Sequence, residues 1–234
     1  MKTIGISVTG LIRTWESCYQ NLLKHLIQPN KEFKIYLLGY INGIEDVSKF
    51  KKKYKFDELV SSQDETLPDI SAQRRRYTDQ ENTHHPIRAY YQLYDLKKSI
   101  DVIKSFEDKK KMKFDYLIRQ RTDIDIMRPV KLPTPIEKTM YLPYGHDFEG
   151  YNDRFAYGTR EDMLVYLNRF DFWMDKSQTC STHIERNLKR YLNNHNIAVQ
   201  RLGDFNYSFK RLIDNQEYNV DGYVDGKIIT GQIN

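Results

Sequence analysis

Apolar positions open the chain with a β-rich run, Ile4-Gly5-Ile6-Ser7-Val8-Thr9, closed by Gly10. This predicts a buried strand ending in a turn. Thr14 is a candidate N-cap for a helix whose apolar positions Trp15, Cys18, Leu22 and Leu26 recur at helical spacing, and Pro29 stops it. Phe33-Lys34-Ile35-Tyr36-Leu37-Leu38 predicts a second strand, closed by Gly39. Strand, helix and strand at this spacing form a βαβ unit, which favours a parallel sheet with right-handed crossovers. From about residue 61 to residue 85 the chain is polar, carries Arg74-Arg75-Arg76 and has no period. A loop of that length in a compact domain is usually mobile or functional. Pro86 suits the first turn of a helix, Leu93, Leu96, Ile100, Ile103 and Phe106 line one face of it, and the lysines up to Lys113 complement its carbonyl end.

The second half repeats the alternation less regularly. Phe114 to Ile118 predicts a buried strand, followed at once by the polar run Arg119-Gln120-Arg121-Thr122-Asp123-Ile124-Asp125. Pro129, Pro133 and Pro135 mark a turn-rich segment before strand character returns at Thr139 to Leu142. Thr159 with Asp162, and Thr182 with Glu185, have capping-box spacing and each precede helical apolar positions. Ile197-Ala198-Val199 predicts a last short strand, and the polar, glycine-bearing residues after Leu212 predict a loosely held end. The pattern predicts one α/β, Rossmann-like domain over residues 1–234, with a mostly parallel central sheet flanked by helices. Its nucleotide-binding half would span about residues 1–125 and its second half about 126–211, with 212–234 as a tail.

Composition narrows the function classes. The formal charge of +5 is concentrated in the runs Lys49 to Lys55 and Lys109 to Lys113, which are expected as solvated faces. Neither run is interleaved with aromatics in a recognisable motif, so no nucleic-acid partner is expected, while transient contact with a membrane surface stays open. The 18 tyrosines suit clefts for polar, ring-shaped ligands. Two cysteines, Cys18 and Cys180, make no disulfide framework, and neither a signal peptide nor a spanning segment is evident, so a cytoplasmic setting is expected.

The chemistry centres on Asp123 and Asp125. Ligands gather at the carboxyl ends of strands in open α/β sheets, and alternate carboxylates on an extended backbone point to one side. The pair could therefore converge on one Mg²⁺ or Mn²⁺, with phosphate oxygens completing the shell. Alternatively, the segment is a turn in which Asp123 or Asp125 caps a helix. The preceding Arg119 and Arg121 suit a polyanionic ligand, or a simple pairing with those aspartates.

Four blocks give a resemblance. They are Ser7 to Thr14, Phe114 to Asp125, the run Asn152-Asp153-Arg154-Phe155-Ala156-Tyr157-Gly158, and His183-Ile184-Glu185. In order and spacing they resemble the GT-A class of nucleotide-sugar-dependent glycosyltransferases, over most of the chain up to about Arg211. The resemblance implies a GT-A-like fold and a donor that is a nucleoside-diphosphate sugar, UDP-sugar by family habit, with a glycan or other hydroxyl acceptor. It makes Thr9, Gly10 and Arg13 donor-binding candidates. It assigns Asp123 to the ribose and metal, and Asp125 to the metal directly. Arg119 and Arg121 would contact the diphosphate or brace the motif. An inverting transfer needs a carboxylate base, for which Asp153 is the first choice and Glu149 the second; a retaining one would not. Among possible further metal ligands, His195 is expected instead to cap a helix, His146 can face the site from its loop, and the adjacent His84 and His85 are poor ligands.

Other classes are less well served. P-loop, dinucleotide and zinc-hydrolase motifs are absent. A metal-dependent nucleotidyltransferase or phosphotransferase would need a further acidic ligand nearby. A non-catalytic carbohydrate- or RNA-binding module would rely on the tyrosines and lysines alone.

Overall fold

The computed structural model describes residues 1–61, 85–175, 183–213 and 216–230. The polar segment 62–84, with Arg74 to Arg76 and His84, lies outside these, as do Cys180 and Thr182. The elements run β1 (Thr3–Leu11), α1 (Trp15–Leu22), β2 (Lys34–Asn42), α2 (Val47–Lys53), β3 (Glu58–Ser61) and α3 (His85–Lys110). They continue with β4 (Tyr116–Arg121), β5 (Ile124–Ile126), β6 (Thr139–Pro143), β7 (Phe155–Thr159), α4 (Arg160–Leu167), α5 (Arg169–Met174), α6 (Ile184–Asn194), β8 (Ala198–Leu202), β9 (Tyr207–Ile213), β10 (Gln216–Val224) and β11 (Lys227–Thr230).

The main sheet has seven strands in the order β3-β2-β1-β4-β7-β6-β8. β3, β2, β1 and β4 run parallel, β7 runs against β4 and β6, and β8 is parallel to β6. This is an α/β fold with a mostly parallel sheet flanked by helices. Strand periodicity explains the two layers. On β4, Tyr116 and Ile118 face one core with Trp15, Tyr19 and Leu22 of α1, while Leu117 faces another with Leu93, Leu96 and Phe106 of α3. A strand buried on both faces needs a near-continuous apolar run, which is what these strands have.

Several boundaries differ from the sequence expectation, each for a local reason. Gly39 does not close β2 but lies inside it, where a Cβ would meet Leu59 Cδ1 at 2.6 Å and Phe56 Cε1 at 2.9 Å. Thr14 precedes α1, yet its hydroxyl donates to Lys210 O at 3.3 Å and makes no cap bond. Thr159 does cap α4, accepting from Asp162 N. At α6 the N-cap is His183, and Glu185 turns toward Arg154. β4 runs through Arg119, Gln120 and Arg121, so these residues are strand residues rather than a polar loop.

The largest correction is the tail. Residues 216–224 and 227–230, expected to be loosely held, form β10 and β11. With β5 and β9 they build a second, antiparallel sheet in the order β11-β10-β9-β5. Ile124, Ile126, Tyr207 and Phe209 tie that sheet into the α1-side core. The lysines of α2 and the end of α3 are largely exposed, and Lys51 and Lys109 meet at Glu58 (3.5 and 3.2 Å). Among the described residues no helix is long and apolar enough to cross a membrane.

Candidate active site

β1 and β4 lie side by side, with Thr9 opposite Arg121; from β1 the chain passes through α1 to β2 on one flank, and from β3 it returns through α3, on the other face of the sheet, to β4 on the other flank. That is a topological switch point, the place where open α/β sheets leave a crevice for a ligand. Gly10 sits there at φ +121°, in the region that favours glycine, and Thr122 Oγ1 donates to Leu11 O at 2.8 Å, which joins the end of β1 to the turn after β4. Thr9 is buried and Arg13 exposed. Because β7 is antiparallel to β4, its leading residues Asn152, Asp153 and Arg154 arrive at the same end. β9 from the second sheet adds Lys210 and Arg211.

Five guanidinium groups gather here: Arg119 and Arg121 from β4, Arg154 beside β7, Arg169 from α5 and Arg211 from β9. They face three carboxylates, Asp123, Asp153 and Glu185. Arg121 holds Asp123 bidentately (Nε–Oδ1 2.8 Å, Nη2–Oδ2 2.7 Å), and Arg211 Nη1 adds a third bond at 2.8 Å. Burial works against the charge on Asp123, but the arginines outweigh it and hold the carboxyl below its usual range. Arg119 is fully enclosed, donates to Asp153 O, and is pushed down to about 10 mainly by burial. Arg211 is also lowered, by burial and by the neighbouring Arg121, Arg13 and Arg154, although Asp123 opposes this. The Nε atoms of Arg119 and Arg154 are buried with no hydrogen-bond partner among the described residues. The cluster is short of negative charge.

Asp123 and Asp125 do not converge. Asp123 lies in a turn rather than on extended backbone, so strand alternation does not relate it to Asp125. Asp125 on β5 is opposite Ser208 and bonds Asn21 Nδ2 of α1 (2.6 Å) and Lys210 Nζ (3.4 Å). Lys210 and Arg211 are consecutive on β9, so their side chains leave on opposite faces, and each takes one aspartate with it. Among the described residues no group of three His, Cys, Asp or Glu side chains could hold a metal ion. In this arrangement the pair does not fit a shared cation: each carboxylate is already matched by its own cations, on its own side of the strand.

Asp153 is buried, with Oδ2 3.2 Å from Arg169 Nη2 and bonded to Gln92. Arg119 and Arg169 lower its pKa against the effect of burial, so it remains charged. Glu149 is 76% exposed on its side chain and pairs with Arg186 at 2.7 Å, outside the arginine cluster. His195 is the C-cap residue of α6, with its ring bonding Tyr191 O. His146 is buried, bonds Gly222 O at 3.1 Å, and is lowered by burial and by Arg154.

Glu185 is the functional candidate that sequence reasoning left without a role. Its carboxylate is 12% exposed and lies 3.3 Å from Arg154 Nη1 in the first turn of α6. Burial and the charge of Asp153 raise it to about 7, and Arg154 only partly offsets them. One carboxyl group held low and another held high form the pattern of a fixed charge beside a titrating acid–base group. Two signals touch Glu185 in the sequence: a capping-box spacing, which points to helix capping, and a place in the block His183-Ile184-Glu185, which carries no role of its own.

A family model described as a domain of unknown function, DUF7796, matches residues 1–207. No curated protein matches the chain.

Proposed function

We propose, for a chain that belongs to the DUF7796 family, that the crevice between β1 and β4 is the active site of a glycosyltransferase of GT-A type. The reaction moves a sugar from a nucleoside-diphosphate sugar, a UDP-sugar first, to a hydroxyl acceptor. The observation that carries this reading is the arginine cluster with too few carboxylates at a topological switch point. A diphosphate supplies the missing charge, and planar guanidinium groups take phosphate oxygens in pairs. Arg121, Arg154 and Arg211 retain some exposure (21, 13 and 35% of the side chain) and form the ligand-facing edge, with exposed Arg13 next to Arg211. Thr9 and Gly10 line the strand end where the nucleotide would lie close to backbone.

In the transfer, the acceptor oxygen attacks the anomeric carbon while the bond from that carbon to the diphosphate oxygen breaks. The departing diphosphate keeps the electron pair, and the arginines stabilise its growing charge without reorganising. Glu185, poised near neutrality, takes the acceptor proton. Asp153 fixes Arg119 and Arg169 rather than taking that proton. Asp123 holds Arg121 and Arg211 in register, and no step is routed through a metal. Calorimetry with UDP on the wild type and on Arg121→Ala tests the reading. Micromolar binding that weakens about tenfold or more in the variant supports it, and no heat with any nucleoside diphosphate ends it.

A further inference from the structure

Between β6 and β7 the backbone enters the left-handed region repeatedly, with φ +82° at Gly145, +54° at His146, +44° at Phe148 and +64° at Glu149. For residues with a side chain this conformation is strained and persists only where the surroundings over-determine it. They do so here. Asn152 Nδ2 donates to Gly145 O and to Tyr207 Oη, both at 2.6 Å, and Asn152 N donates to Asp147 Oδ1 at 2.8 Å. Arg154 Nη1 donates to His146 O at 3.0 Å, and Arg201 Nη2 pairs with Asp147 at 2.9 Å. At the neck, a Cβ on Gly150 would lie 2.0 Å from the backbone carbonyl of Glu185, and Tyr151 N donates to that carbonyl at 3.0 Å.

All this polar scaffolding presents an apolar group to water. Phe148 is 52% exposed, with the Arg154 guanidinium 5.6 Å from its ring centre and the His146 ring at 6.0 Å. Arg154 in turn bonds Glu185, so one side chain separates the phenyl ring from the group that receives the acceptor proton. Glu149, next to Phe148 in sequence, makes a charged pair with Arg186. A hexopyranose has the matching chemistry: a face of C–H groups that lies on an aromatic ring, and rim hydroxyls that bond charged neighbours.

We propose that the loop from Tyr144 to Gly150 is the acceptor subsite, with Phe148 as the stacking face for a pyranose ring and Glu149–Arg186 binding its hydroxyls. This rests on the glycosyltransferase reading for its place in the reaction, but the sugar contact can be measured alone. Saturation-transfer NMR would use methyl β-D-glucopyranoside, methyl β-D-galactopyranoside and methyl α-D-mannopyranoside with wild type, Phe148→Ala and Phe148→Tyr. The expected result is transfer to the ring C–H protons of at least one glycoside, kept by Phe148→Tyr and reduced about tenfold in Phe148→Ala. Equal signals from Phe148→Ala, or none from any glycoside with wild type, overturn the subsite. UDP calorimetry on the same wild-type protein reports the donor half separately. Failure to bind UDP or any other nucleoside diphosphate removes the glycosyltransferase reading, whichever way the sugar experiment falls.

Discussion

Glu185 and Asp153 titrate in opposite directions, because at Asp153 the arginines, Arg119 and Arg169 first, outweigh burial, while at Glu185 burial and the charge of Asp153 outweigh Arg154 and Arg121. For Glu185 the folded protein favours the protonated acid. Its contribution to stability is therefore complete below the ordinary value of 4.5 and is lost as pH rises through about 7. Thermal melts across pH should show Glu185→Gln gaining on the wild type between those limits. The rate has the opposite sign, since a base must be ionised. Sugar transfer should rise with pH through about 7 and level off, and Glu185→Gln should lose that limb together with about 100-fold or more in rate. An unchanged pH profile in the variant would remove Glu185 from the chemistry. Asp153→Asn leaves buried arginines without their charge partner, so a loss of about 3 kcal/mol is expected, read as a lower melting temperature. A variant that melts like the wild type contradicts the bracing role. Neither environment was legible from sequence: Asp153 was the first choice of base, ahead of Glu149, by resemblance, and Glu185 was given no catalytic role.

At the scale of elements, the strands and helices that bury an apolar face were recoverable from period. β1, β4 and α3 follow from their spacing, and α1 does too, although its capping residue bonds elsewhere. β9, β10 and β11 were missed because their partners are one another and β5, so few of their residues form an apolar run of their own. The loop before β7 depends on contacts no local pattern encodes, above all the approach of Gly150 to the first turn of α6. Gly150→Ala forces that backbone pair apart. It should cost about 1–3 kcal/mol and lower the transfer rate by displacing Glu185. A variant of wild-type stability and rate would show that the contact positions nothing.

For the molecule as a whole, the second sheet completes the site, since Arg211 of β9 closes the arginine group begun on β4. Because those cations are protein side chains, UDP affinity is expected to change less than about threefold when Mn²⁺ is replaced by a chelator. A loss of tenfold or more would return Asp123 and Asp125 to the role of metal ligands. The sequence by itself determined the α/β layering, the parallel strands around β1, and the place on β4 where charge would gather, because apolar period and strand ends are local properties. It could not determine how the charges pair. Only tertiary structure set Lys210 and Arg211 on opposite faces of β9, separating two aspartates that look like neighbours in sequence. Only tertiary structure also enclosed Glu185 beside Asp153, because burial and the distance between charges depend on residues remote along the chain.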